Sequence, residues 1–422
     1  MKWIAARSGT RGRVTCAIAA WLVALAAVSA RPNILFLMGD DWSYPHASAL
    51  GDPVVKTPTF DRLVREGVLF DNAFVSSPSC TPSRHSVASG QYHWRAGVGV
   101  DLGSSMGSDV PVYPDLLAAV GYETGFCRKG TAPSQYSYRG NDPFGPRFKS
   151  FAEFHAQREP GRPFCFWYGA GEPHRPYHWQ EGRKRGMELD AIRVPACLPD
   201  HETVRTDLGD YYVKVERFDR DAAGMISLLE KSGELEDTIV VMSGDNGMPF
   251  PRCKATLYDM GTRVPLVVRW GSRVRGGRQV DDFVSLTDLA PTFLDAAGLP
   301  VPAIMSGRSL MRQLLSSDGG VVDSARDHVL TGMERHVYSH PARAIRTADH
   351  LYIRNFVPTA WPTGRKAGKQ AHYDFVKTPW PTEPGAFSHN VDPGPTKQWM
   401  LENAGPDPHE RLNRLAFGVR PG

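Results

Sequence analysis

The sequence has no C-x-x-C pair, no internal repeat, no excess of either charge beyond its first thirty residues, and no later apolar run long enough to span a membrane. Each absence excludes something. Without cysteines at paired spacing, a thiolate zinc site has no ligand set. Of six cysteines, Cys16 falls in the leader, so Cys80, Cys127, Cys165, Cys197 and Cys253 remain. In an exported chain that odd count leaves at least one thiol outside any intramolecular disulfide. The formal charge of +4 traces to Lys2, Arg7, Arg11 and Arg13, in a stretch with no acid, and the remainder balances at 45 against 45. A broadly basic nucleic-acid binder is therefore not expected.

With 422 residues, 41% hydrophobic and 22% charged, the chain has ample material for a core and is not of disordered composition. Its length suits two or three domains, or one large α/β domain with a small companion. The 41 glycines and 34 prolines predict long loops. Residues 1–30 read as an export signal: a basic start, an apolar run from Val14 to Val28, and Val28-Ser29-Ala30 as an A-x-A-like cleavage site. The run is short of the roughly 20 residues a spanning helix needs. The mature chain is expected to begin near Arg31 and to leave the cytoplasm for the periplasm or the exterior, with no membrane attachment afterwards. An uncleaved anchor is the alternative.

Hydrophobic spacing predicts strands at Asn33–Met38, Val68–Val75, Tyr122–Cys127, Phe164–Ala170 and Thr238–Ser243. It predicts helices over Thr57–Gly67, Pro114–Val120 and Thr206–Ser232, the last followed by Gly233. Strands alternating with helices imply a largely parallel, doubly wound sheet. Around Gly319-Gly320 the pattern changes to short extended runs among proline-rich loops, which suggests a small second subdomain. Gly97-Val98-Gly99-Val100-Asp101-Leu102 has Leu where a dinucleotide loop needs its third small residue, so it is set aside.

Two strand ends carry acids: Gly39-Asp40-Asp41 and Gly244-Asp245-Asn246-Gly247. Ligands of open α/β sheets sit outside the carboxyl ends of the strands, so these clusters can converge on one crevice. Three carboxylates together repel unless a cation sits among them, and all-oxygen ligands favour Ca²⁺ or Mg²⁺. The bland alternative is that each Asp caps a turn. In Ser79-Cys80-Thr81-Pro82-Ser83-Arg84-His85-Ser86-Val87-Ala88-Ser89-Gly90, Pro82 suits the first helical position and Gly90 the terminator. Cys80 then lies at a helix N-terminus, where free N–H groups favour an anion, and Arg84 one turn on can add a cation. A buried Cys before an ordinary helix is the alternative. A cysteine-based phosphatase is disfavoured, because its phosphate loop needs more than three residues between Cys and Arg.

At this point the sequence resembles the type I sulfatases of the alkaline phosphatase-like superfamily, whose signature is C-x-P-S-R, then four further residues, then a small hydroxyl residue and Gly. Cys80, Pro82, Ser83, Arg84, Ser89 and Gly90 match it. The resemblance implies an α/β fold, alkaline phosphatase-like and doubly wound, with a largely parallel sheet flanked by helices and a smaller C-terminal α+β subdomain. The expected divisions are signal peptide 1–30, catalytic domain 31–320 and subdomain 321–422. It further implies that a formylglycine-generating maturation enzyme converts Cys80 to Cα-formylglycine, whose hydrate is the nucleophile held by Arg84. One Ca²⁺ would be held by Asp40, Asp41, Asp245 and Asn246 together with residue 80.

The likeness runs on through the chain. Lys129 falls where the family has the lysine of G-K-x-H, Glu172-Pro173-His174 matches the segment supplying its sulfate-contacting histidine, and Lys254 with Gly261-Thr262-Arg263-Val264-Pro265 matches the basic residue and loop after the second metal cluster. Asp407-Pro408-His409-Glu410 and Asn413 resemble the D-P-x-E-x-x-N close of the C-terminal subdomain. Two positions depart: Thr131 replaces the histidine of G-K-x-H, and Arg128 its glycine. The implied reaction is removal of sulfate from a sulfated sugar. Asp245-Asn246-Gly247-Met248-Pro249-Phe250-Pro251 is similar to the sulfamidase branch, which acts on N-sulfoglucosamine of heparan-type glycans. His336 to Pro341 and Arg343 occupy a region that lines the sugar pocket in that family. Arg183-Lys184-Arg185 can contact an anionic glycan or simply be solvated. The rival readings are a phosphomonoesterase or phosphodiesterase of the same superfamily, and a non-catalytic sulfoglycan-binding relative.

Overall fold

The computed structural model describes residues 31–95, 97–134, 140–271, 273–337, 339–356, 390–403 and 412. The expected leader, Tyr338, Asp407 to Glu410 and Asn413 lie outside the described residues. The strands are β1 (Asn33–Gly39), β2 (Val68–Phe70), β3 (Ala73–Phe74), β4 (Glu123–Arg128), β5 (Arg147–Phe148), β6 (Phe164–Gly169), β7 (Thr238–Gly244), β8 (Leu266–Trp270), β9 (Arg278–Val280), β10 (Val284–Ser285), β11 (His328–Arg335), β12 (Ser339–Thr347) and β13 (Leu351–Asn355). The described helices of eight or more residues are α1 (Pro58–Glu66), α2 (Cys80–Ser89), α3 (Glu202–Ser232), α4 (Leu289–Ala296) and α5 (Pro395–Glu402).

Eight strands form one sheet in the order β5-β4-β6-β1-β7-β8-β2-β9. All neighbours pair in parallel except β8, which runs antiparallel to both β7 and β2. The central strand β1 is buried at every residue, as a strand covered on both faces must be, and so it reads as a continuous apolar run. Its side chains still divide by face. Leu35 and Leu37 join a cluster with Tyr211 and Phe218 of α3, whereas Ile34, Phe36 and Met38 join one with Phe293 of α4. The sheet is therefore a middle layer between two helical layers, which confirms the doubly wound α/β expectation.

A separate three-stranded antiparallel sheet, β11-β12-β13, packs Met333, Ala342 and Ala344 against Ala255 and Leu257. It thereby buttresses the loop that carries Lys254. Among the described residues, no helix is long and apolar enough to cross a membrane.

Three local expectations need correction. The run Val68–Val75 is two strands: β2 pairs with β8 and β9, while β3 pairs with β10 in a two-stranded sheet. Asp71 and Asn72 make the break, and Asn72 Nδ2 donates to the Asp281 carbonyl at 2.9 Å, the kind of local bonding that draws Asx residues out of strands. Helix α3 begins at Glu202, four residues before the predicted Thr206, because His201 Nδ1 caps it by accepting from the Thr203 N–H at 3.2 Å. Helix α2 begins at Cys80 rather than Pro82, with Ser79 as its N-cap. Proline is accommodated in its first turn because those N–H groups have no intrahelical acceptor.

Candidate active site

Four adjacent parallel strands end level with one another. Arg128 of β4 and Met38 of β1 both pair with Gly169 of β6, and Gly39 of β1 pairs with Gly244 of β7. The chain therefore delivers Lys129, Asp40-Asp41 and Asp245-Asn246 at the same sheet edge, with His174 in the loop beyond β6. Asp41 turns away through a left-handed φ of 70°, which Asp tolerates better than most residues. Buried helix α2 abuts this edge with its N-terminus: the Cys80 thiol donates to Asp41 Oδ1 at 3.9 Å.

Arg84, fully buried, ties the pieces together. Its Nε donates to Asp245 Oδ2 at 2.7 Å, Nη2 reaches Asp40 Oδ1 at 3.4 Å, and Nη1 donates to the carbonyls of Lys129 and Gly130 at 3.1 and 3.0 Å. The Lys129 ammonium grips both oxygens of Asp40, at 2.6 and 2.7 Å. The Lys254 ammonium bridges Asp41 Oδ2 at 2.9 Å and Asp392 Oδ2 at 3.2 Å. Asp41 also accepts from Asn246 Nδ2 at 2.7 Å, and its own N–H donates to Asp245 Oδ1 at 2.8 Å. His174 brings Nε2 to 3.7 Å from Asp41 Oδ2. Every residue that the sequence reading nominated for catalysis or metal binding thus meets in one cluster.

The electrostatics follow from burial and charge. Burial opposes ionisation of Asp40, yet Lys129, His174, Arg84 and Lys254 together hold it well below the usual carboxylate range. Asp245 has less compensation. Burial pushes it up to about 6 against the pull of Arg84. Burial also pushes the Cys80 thiol well up, with Lys129 and Lys254 offsetting only part, so an unmodified Cys80 stays protonated and is a poor thiolate nucleophile.

The residues fit a hard cation. Asp40, Asp41 and Cys80 offer ligand atoms within 4.8 Å of one another. Asn246 Oδ1 is buried with no hydrogen-bond partner among the described residues, which is costly for a carbonyl oxygen unless something else binds it. Three carboxylates with an amide oxygen form an oxygen-rich set suited to Ca²⁺.

Residues 32–299, more than half the chain, match the sulfatase family, and residues 252–356 match the C-terminal domain of N-sulphoglucosamine sulphohydrolase. The chain belongs to the sulfatase family. Human N-sulphoglucosamine sulphohydrolase is 29% identical over 391 residues, covering 80% of this chain and 76% of that protein. An ulvan-active sulfatase of Formosa agariphila is 26% identical over 398 residues, covering 92% and 76%. A solved structure of a protein in complex with its substrate, D-glucosamine-2-N,6-O-disulfate, superposes with a TM-score of 0.61 at 20% identity, over 77% of this chain and 91% of that one.

This sulfatase departs from its family pattern for structural reasons that are visible. Arg128 occupies a left-handed φ of 61°, where glycine carries no Cβ penalty. Its guanidinium compensates by lying 5.8 Å over the Tyr168 ring and 3.6 Å from Asp221. Thr131 is bonded to Asp142. Its N–H and hydroxyl both donate to Asp142 Oδ2, at 3.0 and 3.3 Å, which stiffens the loop after Lys129.

Three further expectations are refined. His336 is buried beneath the start of α2, with Nδ1 2.8 Å from Ser79 Oγ, and burial pushes its imidazole down to about 3. It supports the cradle as a neutral ring. Arg343 lies 4.6 Å over Trp94 and pairs with Glu334. Arg183 and Arg185 pair with Glu202 and Glu181 at 2.8 and 2.7 Å on an exposed surface. Sequence reasoning missed Asp392 altogether, since Val391-Asp392-Pro393 has no spacing that distinguishes it from any other acidic loop.

Proposed function

We propose that this sulfatase acts on a sulfated carbohydrate and cleaves the N–S bond of glucosamine N-sulfate, as found in heparan-type glycans. One observation carries the hydrolytic part: a protonated thiol at a helix N-terminus faces paired carboxylates, with Arg84, Lys129 and Lys254 around it. The substrate is inferred from two features. The sulfamidase-like match covers Lys254 and the sheet that buttresses it. The sulfamidase-like string Met248-Pro249-Phe250-Pro251 has a structural task, because the Pro249 carbonyl accepts from Arg175 Nε at 3.2 Å and Phe250 lies 4.8 Å beneath that guanidinium. The string thereby positions the loop holding His174.

Asp40, Asp41, Asp245 and Asn246 would hold Ca²⁺, which would withdraw charge from the sulfuryl oxygens, and formylglycine at position 80 would supply a hydrated-aldehyde nucleophile. The remaining work belongs to the chain's own residues. Arg84 keeps a fixed positive charge beside residue 80, its guanidinium locked by two carboxylates and two carbonyls. Lys129 and Lys254 place ammonium groups on either side of the cradle, preorganised where charge develops. His174 Nδ1 lies 2.5 Å from the Arg175 carbonyl; a carbonyl only accepts, so Nδ1 carries a proton and Nε2 is the atom that exchanges one. From there it protonates the departing nitrogen or oxygen. Maturation of Cys80 by a formylglycine-generating enzyme and export through the leader complete the reading, with residues 31–320 as the catalytic domain and 321–422 as the subdomain that supports it.

The test is expression of the full chain with a maturation enzyme, mass spectrometry of the peptide containing residue 80, and assay on a panel of N-sulfated and O-sulfated sugars. Conversion of Cys80 with release of free glucosamine from the N-sulfate is the expected result. Release from O-sulfates alone overturns the N–S assignment. A thiol left intact in the presence of the maturation enzyme points instead to a sulfoglycan-binding protein.

A further inference from the structure

Asp392 belongs to no motif, and the reaction outlined above gives it no task. Yet it reaches the active site from the far end of the chain. Its Oδ2 lies 3.2 Å from the Lys254 ammonium, which on its other side is 2.9 Å from Asp41 Oδ2. Ligand atoms of Asp41, His174 and Asp392 all lie within 4.8 Å of one another. Lys254 is 2% and Asp392 11% exposed, so the pair sits mostly out of water, where charge–charge attraction is strong.

The segment carrying Asp392 is anchored on both sides. Before it, the Val391 carbonyl accepts from Lys397 Nζ at 2.7 Å, folding the stretch onto α5. After it, Gly394 lies so close to Arg175 that a Cβ there would sit 2.5 Å from Arg175 Cζ. Thr396 then donates through its N–H and hydroxyl to Asp207 Oδ2, at 3.2 and 2.7 Å. Asp207 in turn takes a bidentate pair from Arg175, at 2.8 and 2.7 Å, a geometry that fixes direction as well as distance. Arg175 directly follows His174. One buried clamp therefore sets the loop bearing His174 and the loop bearing Asp392 in the same frame.

Two carboxylates on one ammonium exceed what neutrality requires. A divalent ion held by Asp41 would draw on that carboxylate, and Asp392 is then the second anion, 3.2 Å away, that keeps Lys254 aimed. We propose that Asp392 is a positioning residue for sulfate removal: it holds the Lys254 ammonium at the sulfuryl site, and the Arg175–Asp207–Thr396 clamp holds Asp392 there. This inference rests on the assignment of Lys254 to the reaction. As an anion, Asp392 opposes ground-state binding of an anionic substrate, so the gain from aiming Lys254 shows in turnover rather than in a lower KM.

The experiment is a double-mutant cycle with the full, matured chain. Asp392→Asn, Lys254→Met and the double variant are assayed for kcat and KM on glucosamine N-sulfate and glucosamine 6-sulfate, alongside Asp392→Glu. The expected result is a kcat fall of about tenfold or more for D392N with KM within twofold. In the K254M background the same change costs less than threefold, because its partner is gone, and D392E retains more activity than D392N. A D392N effect as large without Lys254 as with it overturns the proposal, as does a KM rise that matches the loss of kcat. A wild-type chain inactive on every sulfated sugar sinks the proposed function instead. The position of Lys254 in crystals then still decides this inference, since an ammonium that stays on Asp41 unchanged in D392N refutes it.

Discussion

Replacing Arg84 by Met removes a guanidinium while keeping most of the side-chain length. The structure sets the size of the effect. Asp245 Oδ2 loses a 2.7 Å charge-assisted bond, Asp40 loses a longer contact at 3.4 Å, and the carbonyls of Lys129 and Gly130 lose a shared donor. Asp40 keeps Lys129 at 2.6 Å, whereas Asp245 keeps the Asp41 N–H at 2.8 Å and only the more distant pull of Lys129, so it is the charge left least compensated. Removing one partner of a buried pair costs about 3–5 kcal/mol, a large part of the roughly 5–15 kcal/mol of a typical domain.

The sign of the pH dependence is a sharper test. The Asp245 carboxyl already sits at about 6, above its unfolded value, so its protonated form favours the fold at low pH and ionisation weakens the fold as pH rises through 6. Without Arg84 its folded pKa climbs further. The cost of the substitution must therefore grow between pH 5 and pH 8, by about 1.4 kcal/mol for every tenfold gain in the carboxylate's proton affinity. Urea unfolding of both proteins in chelator at the two pH values measures this. Equal losses at both, or a loss below about 1 kcal/mol at pH 8, refute the argument that Arg84 neutralises Asp245.

Three further outcomes are expected. Calcium should raise the melting temperature of the chelated wild-type protein, by a free energy of about 2.7 kcal/mol at a hundredfold excess over Kd. Its affinity, read by calorimetry, should weaken as pH falls through 6 and Asp245 takes up its proton; no thermal shift with calcium at pH 7.5 counts against the site. Gly169→Ala would set a Cβ 1.6 Å from the Lys129 carbonyl oxygen, the same oxygen that accepts from Arg84 Nη1 and Trp167 Nε1. That backbone cannot swing aside, so about 1–3 kcal/mol of destabilisation should accompany a drop in kcat, and a variant with wild-type melting and turnover contradicts the packing.

The local parts of the site are written in neighbouring residues. Cys80 and Arg84 lie one helical turn apart, so their proximity follows from helix geometry alone once Gly90 marks the end of α2. The acids at the ends of β1 and β7 are 204 residues apart along the chain, yet they too were legible. An apolar run that stops at Gly-Asp marks a strand end, and parallel strands deliver their ends to one edge. Asp71-Asn72, inside an apparently continuous apolar stretch, was not, because whether an Asx pair breaks a strand depends on what its side chains find across the fold.

What sequence alone determined is the inventory: a mostly parallel α/β sheet, a cysteine at a helix mouth, and a set of acids and bases able to serve sulfate chemistry. Each of these rests on period, spacing or residue chemistry, which are properties of short stretches. Tertiary structure decided the pairings. Lys254 finds Asp392 across 138 residues, His336 is a neutral prop under Ser79, and Thr131 serves Asp142. A side chain's charge state and partner depend on burial and on which distant segment covers it, and no local pattern encodes either.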